Sequence, residues 1–135
     1  MKQFTSKSSL ATIHPNGIIE ICQKQEWDQP ETTEVAKDMA MMLKKAVGNN
    51  IRGILYFPPN IYIQEEIIKA YTNVSIGHVA EAIVAESFAT KLIANMLLKF
   101  RSNKLACKVF SKQEEAEQWL LEQISKAKMK ASEAS

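Results

Sequence analysis

Two histidines, two cysteines and two pairs of adjacent glutamates are the residues of this chain that could most readily do chemistry. A metal site needs several His, Cys or carboxylate ligands at short spacings, and His14, His78, Cys22 and Cys107 lie far apart with no such partners. Glu65-Glu66 and Glu114-Glu115 have the composition of an acid/base pair, but neighbours on a helix point in different directions. Glutamates early in a helix also complement the positive end of its dipole, which explains them without catalysis. Gly17, Gly48, Gly53 and Gly77 are scattered, so no phosphate-cradling loop is present. No serine sits in a nucleophile elbow. The sequence therefore assembles no catalytic set, metal site or cofactor site, and the expectation is a non-enzymatic protein.

The elements that would position any site follow from pattern. SLATIHPNGIIEICQ places Asn16-Gly17 between two β-prone runs, the signature of a hairpin with a type I′ turn. In ETTEVAKDMAMMLKKAV, Val35, Ala36, Met39, Met42, Leu43, Ala46 and Val47 recur at helical spacing, with Thr32 as cap and Gly48 as stop. RGILYFPP reads as a short buried strand ended by Pro58-Pro59. In IQEEIIKAY, Ile63, Ile67, Ile68 and Tyr71 share a helical face. CKVF is a strand, and SKQEEAEQWLLEQISKAK is a helix opened by a Ser111/Glu114 capping box. Its inner stripe is Ala116, Trp119, Leu120, Gln123 and Ile124.

HVAEAIVAESFATKLIANMLLKF, residues 78–100, decides the architecture. Helix propensity alone would run through it. Its first half, however, is apolar on every side, as suits a strand covered on both faces. After Ser87 the period changes, with Phe88, Leu92, Met96 and Phe100 recurring every four residues beside Ile93 and Leu97. Ser87 is placed to cap the free amides of a new helix. Helices are expected near 32–47, 62–73, 87–101 and 112–127, with about five strands in a mixed α/β sheet.

This order of elements resembles the SpoIIAA-like fold of STAS domains, the bacterial anti-sigma-factor antagonists. AIVAESFATKLIANMLLKF followed by KVFSKQEEAEQWL is similar to a group of small, uncharacterised bacterial STAS-like proteins. The shared residues are Ile93, Ala94 and Asn95 in one helix, then Phe110, Ser111, Ala116, Trp119 and Leu120. The topological likeness spans nearly the whole chain, and the sequence likeness mainly its last 60 or so residues. The resemblance implies a single STAS-like domain over 1–128, with 129–135 a frayed tail. It also implies a protein-interaction or regulatory role, since the motif is apolar and carries no chemistry. The antagonists place a phosphorylatable serine after the central strand. Here that place holds Pro58-Pro59-Asn60-Ile61-Tyr62, so the resemblance implies the scaffold without its switch.

Ligands of open α/β sheets gather at the carboxyl ends of parallel strands. The expected contact surface is therefore Pro59, Asn60, Ile61 and Tyr62, with Ser87 and Lys91 at the next junction. Ser87 is expected chiefly as a cap. From Ser87 to Gln113 there are six basic residues and no acidic one, whereas residues 20–38 hold six acids against two lysines. That asymmetry suits either solvated helix ends or docking of an acidic protein segment or a second copy of the chain. The alternative is a carrier of an apolar small molecule, because STAS-like folds resemble the CRAL-TRIO architecture and Met39, Met41, Met42 and Met96 could line an adaptable pocket. Nucleic acid is not expected as a partner, since aromatics are not interleaved with the basic residues and net charge is only +2. MKQFTSKSS is no signal peptide and no run is long enough to insert in a membrane, so the cytoplasm is expected, with Cys22 and Cys107 as reduced, buried thiols.

Overall fold

The computed structural model describes residues 2–5, 9–23, 33–58, 77–100 and 106–134. Six strands form one sheet in chain order: β1 (Lys2–Thr5), β2 (Ser9–Ile13), β3 (Ile18–Gln23), β4 (Gly53–Phe57), β5 (Ala80–Val84) and β6 (Ala106–Phe110). β1–β2 and β2–β3 pair antiparallel; β3 to β6 are mutually parallel. Among the described residues there are three helices: α1 (Thr33–Val47), α2 (Phe88–Phe100) and α3 (Gln113–Ala134). α1 links β3 to β4 and α2 links β5 to β6, as parallel neighbours require a crossover. The helix expected near 62–73 lies outside the described residues.

The α/β class and the mixed sheet agree with the sequence, but the sheet has six strands, not about five. The extra one is the edge strand β1, KQFT. It is short and mostly polar, so pattern gives it no signal, and only pairing such as Phe4 with Ala11 defines it. The hairpin stands where Asn16-Gly17 predicts, with a different turn. His14 O accepts from Gly17 N at 3.2 Å, which puts Pro15 and Asn16 at the two central positions. Pro15 fixes a negative φ, which a type I′ turn forbids. Positive φ falls on Gly17 alone (95°), and Asn16 Oδ1 accepts from Ile18 N at 3.0 Å.

Period-two alternation builds a core on each face of the sheet. On one, Ile19, Ile54, Tyr56 and Ile83 pack with Leu43 and Val47 of α1 and with Ile93, Ala94 and Leu97 of α2. On the other, Ile18, Leu55, Ala80, Ala82 and Val84 pack with Ala116, Leu120 and Ile124 of α3. β5 is buried at all five positions, as expected of a central parallel strand.

The break at Ser87 is real. Ser87 Oγ accepts from Thr90 N at 3.1 Å while Thr90 Oγ1 accepts from Ser87 N at 3.0 Å, a reciprocal cap of α2. The buried face of α2 is Thr90, Ile93, Ala94 and Leu97, with Met96 packed at its side, while Phe88 and Leu92 are exposed. Ala94 is fully buried in the core beside Ile93 and Leu97, which leaves Phe88 and Leu92 facing outward.

α3 begins one residue later than a Ser111 cap requires: Lys112 O accepts the first helical bond, from Ala116 N at 3.2 Å. It also continues through Ala134 instead of fraying after 128. Residues 127–134 contain Ala, Lys, Met and Glu and no Gly or Pro, so nothing there stops it. Trp119 is half-buried against the second core, whereas Leu120 is fully enclosed. Cys22 and Cys107 are free thiols and only partly buried, less than expected.

Candidate functional site

The expected surface at the carboxyl ends of the parallel strands is described in part. Pro59, Asn60, Ile61 and Tyr62 lie outside the described residues. Ser87 and Lys91 lie one turn apart at the start of α2, and Lys91 N donates to Ser87 O at 3.0 Å. Lys91 is exposed. The side chains beside it come from the outward rotation of α2: Phe88 is 80% and Leu92 52% exposed, four residues apart on one helical row. No acidic residue occupies the first turn of α2, and Lys99 sits in its last. Of the residues on which the expected STAS-like resemblance rests, Ile93, Ala116 and Leu120 are buried, Phe110 and Trp119 touch at 5.6 Å between ring centroids, and Asn95 points to solvent. Lys108 Nζ lies 5.4 Å from the Phe110 ring, so the basic run reaches β6.

The opposite edge of the sheet, where the parallel strands begin, holds polar side chains that the sequence gives no reason to single out. Arg52 is 6% exposed, and its Nη1 donates to Gly48 O at 2.7 Å and Asn50 O at 3.0 Å. These carbonyls belong to the segment that directly follows α1, so the guanidinium stands beside the negative end of that helix. Burial pushes the Arg52 pKa down from its ordinary value, although a guanidinium stays charged at neutral pH. An open cleft of about 380 Å³ lies here, lined by Lys2, His14, Arg52 and Lys128 together with Ile13 and Val47. His14 Nε2 stands 4.0 Å from Glu20 Oε1. A second cleft, also about 380 Å³, has both Lys126 and Glu133 on its rim.

Glu81 and His78 are also buried, at 1% and 9% exposure. Glu81 lies in the row Ile19–Ile54–Glu81–Cys107 across the sheet. A charged residue in a strand sequence normally implies a solvent-facing position, and here central placement of β5 overrides that. Of the methionines weighed for a pocket, Met41 and Met42 are 62% and 44% exposed, and Met96 packs against the core. Met39 lies among side chains outside the description. Among the described residues no group of three or more His, Cys, Asp or Glu could hold a metal ion, and no helix is long and apolar enough to cross a membrane.

No family model and no curated protein matches the chain. A solved structure of a protein with unknown function from Arthrobacter sp. FB24 is similar at 14% identity and a TM-score of 0.30, covering 87% of this chain and 95% of that one; likeness at that level carries no argument.

Proposed function

We propose that this chain is a protein-interaction module of regulatory type, whose contact surface is the outer side of the first turns of α2. The observation that carries this reading is Phe88, 80% exposed, with Leu92 on the same row at 52%. An exposed phenylalanine costs solvation and contributes nothing to the fold, whereas aromatic side chains are enriched where partners bind. Lys91 stands beside them, and the start of α2 adds the positive end of a helix dipole with no acid in its first turn to cancel it. The matching partner is a protein segment presenting an apolar side chain flanked by Asp or Glu. The STAS-like order of elements supports the same class of role, without the antagonists' switch serine.

The test is recovery of partners from a native lysate with the parent chain and with a Phe88→Ser, Lys91→Glu double variant. Both positions are exposed, so the variant is expected to keep the parent's circular dichroism and melting temperature. It should lose the recovered protein, and cross-linking from position 88 should map to an acidic, apolar segment. Unchanged recovery by the folded variant overturns the proposal.

A further inference from the structure

We propose that the cleft at the start of the parallel strands binds a small organic carboxylate with an apolar body. This site lies at the other edge of the sheet from the surface on α2 and does not depend on it. Three elements bring fixed positive charge to one opening: Lys2 from β1, Arg52 from the entry to β4 and Lys128 from the late turns of α3. His14, from the hairpin turn, adds a fourth polar group. Among the described residues that line the cleft none is acidic; His14 Nε2 stands 4.0 Å from Glu20 Oε1.

The end of α1 would oppose an anion here, since a helix C-terminus carries about half an elementary negative charge. Arg52 removes that objection. Its Nη1 donates to Gly48 O and Asn50 O, in the segment that directly follows α1, and it is fixed there by burial. Arg52 thus sets a cation beside the negative end of α1, while the exposed ammonium groups of Lys2 and Lys128 meet the ligand. A field from partly desolvated charge is screened less than one from the open surface.

The remainder of the lining sets the ligand's body. Ile13 and, to a lesser extent, Val47 bring apolar surface to the lining, so a compact, fully hydrated ion such as phosphate would cover that surface without replacing it by contacts. An aliphatic or aromatic carboxylate satisfies both halves. The volume, about 380 Å³, lies at the small end of the roughly 300–1,000 Å³ of small-molecule sites.

The probes are octanoate, 1-octanol and acetate, each titrated into the full chain and followed by amide chemical shifts. Octanoate should shift residues 13–19, 50–52 and 128 saturably, and bind at least about tenfold more tightly than either control, since one charged contact and the apolar body are each worth about a factor of ten or more. A Lys2→Glu, Lys128→Glu variant, altered only at exposed positions and checked by its melting curve, should weaken octanoate at least tenfold and leave octanol unchanged. The proposal is overturned by no saturable shift at the cleft, by equal binding of octanoate and octanol, or by an unaltered octanoate affinity in the folded variant.

Discussion

Gly53 and Leu120 offer the sharpest check on how α3 sits on the sheet. A Cβ built at Gly53 would lie 3.0 Å from Leu120 Cδ2, 3.5 Å from Ala80 O and 3.5 Å from Ile124 Cδ1. Leu120 is 0% exposed, so its methyl has little room to yield. Gly53→Ala alone should therefore cost about 1–3 kcal/mol of overpacking, less about 0.4–1 kcal/mol from the stiffer unfolded chain. Leu120→Ala alone should cost about 3–5 kcal/mol, the upper part of the range for a fully enclosed leucine. In that background the alanine at 53 enters space the leucine has vacated. Its steric penalty vanishes and the entropic gain remains, so the sign reverses and the double variant is more stable than Leu120→Ala. The coupling is then about 1–3 kcal/mol, as for residues in direct contact. Urea unfolding of the four proteins, with unchanged m-values, measures it. Additivity within about 0.5 kcal/mol would refute this packing of α3 against β4.

Three further outcomes are expected. Ser87→Ala should lower stability by about 0.5–2 kcal/mol through loss of the cap on α2, and adding Thr90→Ala should cost less than the sum of the two, because the hydroxyls lie 2.9 Å apart in one network; urea midpoints give both numbers. Trp119→Ala should cost at least about 1 kcal/mol less than Leu120→Ala, since the indole is half-buried and its ring contact with Phe110 is worth about 0.5–1.5 kcal/mol; equal losses by urea unfolding would place Trp119 in the core. The Cys22 thiol is pushed up first by burial and then by the Glu20 charge. The folded state thus holds that proton more tightly than the unfolded one, so this group's stabilisation is complete below about pH 8.5 and falls as pH rises through the higher folded value. Iodoacetamide labelling should accordingly be slower for Cys22 than for the same peptide unfolded, over pH 7.5–9.

What the sequence reveals and what it hides divide along physical lines. The strand-to-helix break at Ser87 is legible because two periods meet there and a hydroxyl stands at the junction. The hairpin is legible from Asn16-Gly17, but its turn type also depends on Pro15, whose fixed φ moves the positive-φ position onto Gly17 alone. Hydrophobicity alone does not say which part of the wide apolar band of α2 is inward. Ala94 is fully buried in the core beside Ile93 and Leu97, leaving the larger Phe88 in water. β1 is hidden because an edge strand of four residues needs only pairing, not pattern. Arg52 and Glu81 are hidden because charge in a sequence signals exposure until the neighbours in space are known.

Those hidden residues change where function should be sought. Strand topology directs attention to the carboxyl ends of the parallel strands, and what is described there, Ser87, Phe88 and Lys91, makes a surface rather than a cavity. At the other end, Arg52 holds carbonyls just past the end of α1 and lines the cleft beside Lys128 of α3. One buried charge thus serves both the fold and the field of the opening. Arg52 stands just before β4 and donates to two carbonyls of the segment that follows α1. A neutral residue there would leave them opposing any anion in the cleft. The two ends of the sheet can therefore be altered independently, because α2's outer row and the cleft share no side chain. That separation is what allows the contact surface and the carboxylate site to be tested without either variant disturbing the other.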